Sequence, residues 1–272
     1  MKTRVISAAV LLPLLAIVVL WAPTMYAAVI LAILMAIGSY ELLYRTGLLR
    51  HSRMVIYSSV MAFAVVMWSY AGAVHAYLLL GLIAYSVLLF GEMMADHIHV
   101  RIEMVCLCYL SGLIVPYMES GLIRILTQVI GRQMIIVPFC IAFMSDAGAY
   151  FVGLKFGRHK LAPVVSPNKT IEGALGGMAA SIIAMLIYAI VLDLFFPQYR
   201  VSYGAALLYG FAGSLCGMIG DLCFSIIKRQ TGIKDYGNLI PGHGGVLDRF
   251  DSLTMVAPLM EALLLILPLI RL

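Results

Sequence analysis

Residues 173–196 read GALGGMAASIIAMLIYAIVLDLFF, a run of 24 positions whose one charge, Asp193, lies near its end. A helix needs about 20 mostly apolar residues to cross a hydrocarbon core of ~30 Å. This run is apolar around its whole circumference, so as a helix it has no face suited to water. Eight further runs resemble it, at roughly 5–22, 24–43, 54–71, 73–90, 104–123, 133–152, 203–226 and 252–270. Together they predict an all-α fold, a polytopic integral membrane bundle of about nine transmembrane helices. Ala22-Pro23-Thr24 and Ala71-Gly72 separate neighbouring runs so narrowly that both joints read as tight helical hairpins.

The whole-chain balance agrees. The 272 residues are 63% hydrophobic and 11% charged, against about half and about a quarter in a soluble domain. The net charge of +5 comes without a dense basic run, which argues against a nucleic-acid partner. Cys106, Cys108, Cys140, Cys216 and Cys223 lie in apolar runs and read as small hydrophobes. Asp96-His97-Ile98-His99 reads as an exposed polar loop. The apolar run that follows Met1-Lys2-Thr3-Arg4 has no small-x-small cleavage site after it, so it reads as a retained first span.

Nine spans place 14 of the 18 Lys and Arg residues on the face shared by the N-terminus and the even-numbered loops. Only Arg124, Arg132, Arg200 and Arg271 fall on the other face. Cytoplasmic loops carry the excess of Lys and Arg, which puts the N-terminus in the cytoplasm. The expected location is the cytoplasmic membrane of a bacterium, with the site facing the cytoplasm. Residues 1–130 read as transmembrane scaffold and residues 131–272 as the catalytic region, within one continuous membrane domain.

Polar chemistry gathers in two loops. The loop from Gly153 to Gly173 carries Lys155, Arg158, Lys160 and Lys169 around a Ser166-Pro167-Asn168-Lys169-Thr170 core. Thr170 is placed to cap the next helix, with Glu172 in its first turn, where a carboxylate suits the helix dipole. The stretch from Ser225 to Asp251 holds five glycines, four cations (Lys228, Arg229, Lys234, Arg249) and three aspartates (Asp235, Asp248, Asp251). Glycines let a backbone approach a ligand and turn N–H groups toward it. Cations mixed with carboxylates suit a phosphate-bearing substrate with a divalent ion. Asp251 reads equally as a functional acid and as the N-cap of the last span. Asp146 and Asp221 sit at membrane depth, where an ionised carboxylate costs about 2.5–3.5 kcal/mol unless it meets a cavity or a partner. Were Asp146, Asp221 and Asp248 to converge, a Mg²⁺ ion would relieve their repulsion.

The pattern S-x-x-K-R-x4-K-D-x-G-x2-I-P-G-H-G-G-x-x-D-R-x-D, Ser225 to Asp251, resembles the signature of the phosphatidate cytidylyltransferase (CDP-diacylglycerol synthase) family. It matches at well over a dozen of 27 positions. Arg4–Pro13, Asp146–Gly153 and Ser166–Gly173 resemble further family motifs. The resemblance implies transfer of CMP from CTP to phosphatidic acid, with loss of pyrophosphate. It also implies a homodimer, a Mg²⁺ ion held by Asp221 and Asp248 with Asp146 as a third candidate, and a second, monovalent cation such as K⁺. By motif position, Lys228, Arg229, Lys234 and Asp235 join these acids as catalytic candidates. Ser166, Asn168, Lys169, Thr170, Glu172, His243 and Arg249 are the substrate-binding ones. The chain departs from the family pattern at Gly217, where a Ser is common, at Phe224, where a Glu is common, and at Ile171, a frequent Trp. A CTP-dependent lipid kinase, another lipid cytidylyltransferase, a transporter and an inactive scaffold are the competing readings. A transporter would show inverted repeats and paired broken helices, and neither is evident in the sequence.

Overall fold

A computed structural model describes residues 13–72, 75–239 and 244–271. Among them, seven helices are long and apolar enough to cross a membrane. The first of the nine expected spans lies partly outside the described residues, with 13–20 helical. The last is the 14-residue helix Leu253–Ile266, about 21 Å long at 1.5 Å per residue and so shorter than the ~30 Å core. The helical membrane class holds, and the count of full-length spans falls below nine among the described residues.

The chain divides into two compact units. The first comprises residues 1–132 and 228–250. Its helices are α1 (Thr24–Tyr40), α2 (Ser52–Ala71), α3 (His75–Ala95) and α4, the composite run Ile102–Leu126. Helix α1 starts after Pro23, whose fixed φ of −54° suits a helix entry, and ends in a π-helical turn, Glu41–Arg45. Helix α2 stops at Gly72 in the left-handed region, φ +57°, the conformation expected of a glycine just past a helix end. Met54, Val55, Met61 and Val65 of α2 pack with Tyr85 and Leu89 of α3 and Val105 and Cys108 of α4. A polar seam crosses this core, where the Tyr85 hydroxyl donates to the Cys108 carbonyl at 2.8 Å and meets Ser58 Oγ at 2.9 Å. Asp96 and His99, in the exposed turn after α3, pair with each other at 2.8 Å.

The second unit comprises residues 133–227 and 251–272. It contains α5 (Ile136–Phe156), a hairpin of β1 (Lys160–Ala162) and β2 (Ser166–Thr170), and α6 (Ile171–Phe195). After β3 (Arg200–Val201) come α7 (Tyr203–Gln230), the short α8 (Leu247–Phe250), α9 (Leu253–Ile266) and β4 (Ile270–Arg271). The end of α7 and all of α8 belong to the first unit. Strands β1 and β2 are antiparallel, with Lys160 opposite Thr170 and Ala162 opposite Ser166. Helices α5 and α6 touch backbone to backbone. A Cβ on Gly177 would stand 2.6 Å from the Ser145 carbonyl oxygen, and one on Gly173 would stand 2.8 Å from that of Ala149. Gly173 and Gly177 are four residues apart, the small-xxx-small spacing that lets membrane helices approach closely. Farther along the same seam, Ser181 Oγ donates to the Ile141 carbonyl at 3.1 Å.

Candidate functional site

In the second unit the hairpin is built to deliver Lys169. Thr170, in extended conformation, accepts the Gly173 N–H on its hydroxyl at 3.1 Å and so caps α6, as its sequence position predicts. Glu172 does lie in the first turn of α6, and its carboxylate turns back to the segment after α5. It accepts from Arg158 N at 3.1 Å, His159 N at 3.2 Å and His159 Nδ1 at 2.6 Å. These contacts tie the start of the hairpin to the start of α6. Lys160 Nζ closes the other end by donating to the Pro167 carbonyl at 2.6 Å. Held this way, Lys169 forms an ion pair with Asp221 of α7, and both side chains are about a quarter exposed. Ser225, one helical turn on, donates to the other Asp221 oxygen at 3.2 Å.

A cavity of ≈ 230 Å³ opens beside this pair. Asp146, Asn168, Lys169, Thr170 and Asp221 line it, together with Gly173 and Ala174 of the first α6 turn and the apolar Met178 and Met218. The structure therefore brings Asp146, four other candidates and a helix N-terminus to one chamber. The dipole of such a turn favours anions, while Ile171 N is taken by the His159 carbonyl at 2.9 Å and Gly173 N by the Thr170 hydroxyl at 3.1 Å. The lining offers the Asp146 and Asp221 carboxylates, the Asn168 amide and the Thr170 hydroxyl, oxygen groups of the kind that suit Mg²⁺, which binds through one or two carboxylates and leaves the rest to phosphate and water. Among the described residues, no group of three or more His, Cys, Asp or Glu side chains is placed to hold a metal. Ser166 begins β2 opposite Ala162.

In the first unit the glycine-rich stretch folds around Asp248. Its side chain is 3% exposed, and Oδ1 accepts Lys228 Nζ at 2.8 Å. Oδ2 accepts Tyr236 N at 2.8 Å and Gly245 N at 2.9 Å. The bond to Gly245 reaches three residues back and fixes the backbone just before α8. Gly244 takes φ +85°, a left-handed conformation that Cβ-bearing residues resist. The Lys228 ammonium also lies 5.4 Å from the centre of the buried Tyr236 ring. The first residues of the stretch are not loop: Ser225 to Gln230 continue α7, so Lys228 and Arg229 are helical. This corrects the expected end of that span near 226, because the polar Lys228, Arg229 and Gln230 continue the helix past the apolar composition that marked it. Arg229, Lys234, Asp235 and Arg249 are exposed. His243 lies outside the described residues.

A buried acid that the sequence reading passes over is Glu41. It is 3% exposed, stands first in the π-helical turn that ends α1, and accepts Leu247 N on Oε2 at 3.2 Å. Its signal in the sequence is an acid inside an apolar run, the feature it shares with Asp146 and Asp221. The three departures from the family pattern also have places in the structure. Phe224 is buried. A Cβ on Gly217 would press Val256 of α9 at 3.1 Å, so the missing Ser leaves room for α7 to approach α9. Ile171 is the exposed first residue of α6. Asp251 accepts its neighbour's N–H, Ser252, at 2.9 Å, and the N-cap position of α9 falls to Ser252.

Comparison with known proteins adds an independent line. A family model described as the cytidylyltransferase family matches residues 2–267. Proteins named phosphatidate cytidylyltransferase from Staphylococcus haemolyticus and Staphylococcus aureus are each 44% identical to the chain over 135 residues. One from Staphylococcus saprophyticus is 42% identical over the same length. Each match covers 50% of this chain and 50% of the relative, so the matched segment spans about half the length of these curated relatives.

Proposed function

We propose that this chain, which belongs to the cytidylyltransferase family, transfers the cytidylyl group of CTP to phosphatidic acid, giving CDP-diacylglycerol and pyrophosphate. The observation that carries this reading is the chamber where Lys169, Asn168, Asp146 and Asp221 meet the N-terminal turn of α6. A phosphatidate oxygen attacks the α-phosphorus of CTP, and the bond from that phosphorus to the bridging oxygen of the β-phosphate breaks. Pyrophosphate leaves with the electron pair. The attacking phosphate is already anionic, so no protein nucleophile is needed. The chain's task is in-line positioning and neutralisation of charge.

Lys169 is suited to this task because its partner Asp221 holds it in place at the cavity wall. A phosphate group entering the chamber competes with Asp221 for that ammonium. Asn168 supplies a neutral donor to phosphate oxygens, and the dipole at the start of α6 favours their charge. Glu172 and His159 keep the hairpin in register, so Glu172 serves binding through Lys169. Asp221 with Asp146 would hold Mg²⁺, which when bound supplies charge neutralisation at the phosphate oxygens. Asp248 stays a metal candidate by its motif position alone, and in the first unit its carboxylate is held by Lys228, Tyr236 N and Gly245 N. Lys228, Arg229, Lys234, Asp235 and Arg249 are assigned to phosphate contacts and their charge balance, with Ser166 and His243 as supporting contacts. A homodimer, a second monovalent cation such as K⁺, and a bacterial cytoplasmic membrane with the basic loops inside complete the proposal. The charge asymmetry of the loops supports the orientation.

The test uses purified full-length protein with CTP, Mg²⁺ and a panel of lipid acceptors: phosphatidate, diacylglycerol, a polyprenol and an archaeal ether-lipid phosphate. Phosphatidate is expected to be consumed fastest, and chelation of Mg²⁺ is expected to stop turnover. Exclusive use of another acceptor would overturn the substrate assignment. Full synthesis by Asp248→Asn would remove Asp248 from the metal candidates.

A further inference from the structure

We infer that Glu41 is a positioning residue that holds the glycine-rich stretch in its working conformation, with Gly237 and Gly245 kept side-chain-free to admit its carboxylate. Three contacts, all within the first unit, carry this. Glu41 Oε2 accepts Leu247 N at 3.2 Å. A Cβ built on Gly245 would stand 2.6 Å from Oε2 and 2.7 Å from Oε1. A Cβ on Gly237 would overlap Oε1, with Cδ at 2.8 Å. The two glycines lie eight positions apart, one in the middle of the stretch and one in its second half, so one carboxylate meets its backbone at two places. Asp248 binds the same backbone from its own side, through Gly245 N and Tyr236 N. Residues 244–247 are therefore held between two acids that differ in origin by 207 positions (248 − 41).

The π-helical turn is the local device that makes this reach available. Glu41 opens it, and Leu42 and Leu43, which follow, are buried. Such turns insert one residue into an α-helix and recur at functional sites. Thr46 closes the turn by donating to the Leu42 carbonyl at 2.6 Å. Glu41 has no proposed contact with substrate and acts through the backbone that presents Asp248 and, through it, Lys228.

For its activity readout the inference rests on the cytidylyltransferase reading, and a second readout is independent of it. Full-length protein in lipid nanodiscs is prepared as wild type, Glu41→Ala, Glu41→Gln, Gly237→Ala and the double variant Glu41→Ala/Gly237→Ala. Hydrogen exchange is followed in the peptide containing Leu247 and, as a control, in α2. Glu41→Ala is expected to speed exchange at Leu247 about tenfold, the effect of losing one buried acceptor, with α2 unchanged. Glu41→Gln, which keeps an acceptor of the same reach, is expected to stay near wild type. Gly237→Ala is expected to lower turnover at least tenfold beside Glu41 and to be partly rescued when Glu41 is Ala. Unchanged exchange at Leu247 in Glu41→Ala, or a Gly237→Ala defect equally severe with and without Glu41, overturns the inference. If Glu41→Ala does not fold, Glu41→Asp/Gly237→Ala against Gly237→Ala alone makes the same comparison. A wild-type protein without turnover refutes the proposed reaction and leaves the exchange result to decide the role of Glu41.

Discussion

The Lys228–Asp248 pair is the most quantitative handle the structure offers. The two side chains are 11% and 3% exposed, and the ion pair spans 2.8 Å. At that burial, solvent screening is weak. Asp248→Ala strands the Lys228 ammonium and removes the acceptor of two backbone N–H groups. Removing one partner of a buried pair costs about 3–5 kcal/mol. Lys228→Met leaves the buried Asp248 carboxylate without its cation but with both backbone donors. Its cost is at the low end of that range, about 3 kcal/mol. The double variant strands no charge, so it should be less damaged than the sum by about 1–3 kcal/mol, the coupling expected of directly contacting residues. Unfolding in mixed micelles with increasing SDS, followed by circular dichroism, measures all four corners of the cycle. Additivity within about 0.5 kcal/mol would refute the claim that these two residues form a buried, mutually dependent pair.

Other substitutions probe the second unit. Thr170→Ala removes the cap on α6 and should lower stability by about 1 kcal/mol, with Thr170→Ser close to wild type in the same unfolding assay. Gly177→Leu drives a side chain into the Ser145 carbonyl, and the protein should fail to accumulate. Gly47→Ala, where nothing lies within 4 Å of the new Cβ and only φ +74° opposes it, should cost no more than about 1–2 kcal/mol. Lys169→Ala should reduce turnover at least tenfold, the scale of one charge-assisted hydrogen bond of about 1.5–3 kcal/mol. Glu172→Gln should produce a smaller loss of the same kind.

Local signals in the sequence carried much of this. The length and emptiness of the apolar runs gave the membrane class, Gly72 and Pro23 marked their joints, and Thr170 announced its cap three residues before Gly173. What stayed hidden depends on distance along the chain. Lys169 and Asp221 were both visible as candidates, but their pairing joins positions 52 apart. Glu41 and Leu247 are 206 apart, and nothing in Ser39-Tyr40-Glu41-Leu42 announces a partner. The hairpin was legible as a shaped turn and not as strands, because two short strands leave no alternating pattern long enough to read. The helical continuation to Gln230 was concealed for a different reason. Polar residues at the end of a spanning helix look, by composition, like the loop that follows it.

The most direct measurement places the radioactive label within CTP. The purified protein is incubated with phosphatidate, Mg²⁺ and CTP carrying ³²P at either the α- or the γ-phosphate, and the extracted lipid is counted. The account predicts that α-label enters the lipid as CDP-diacylglycerol while γ-label appears only in pyrophosphate. Label transferred from the γ-position would instead mean phosphoryl transfer by a lipid kinase. That result would contradict the assignment even though CTP and a lipid phosphate chemistry were both confirmed.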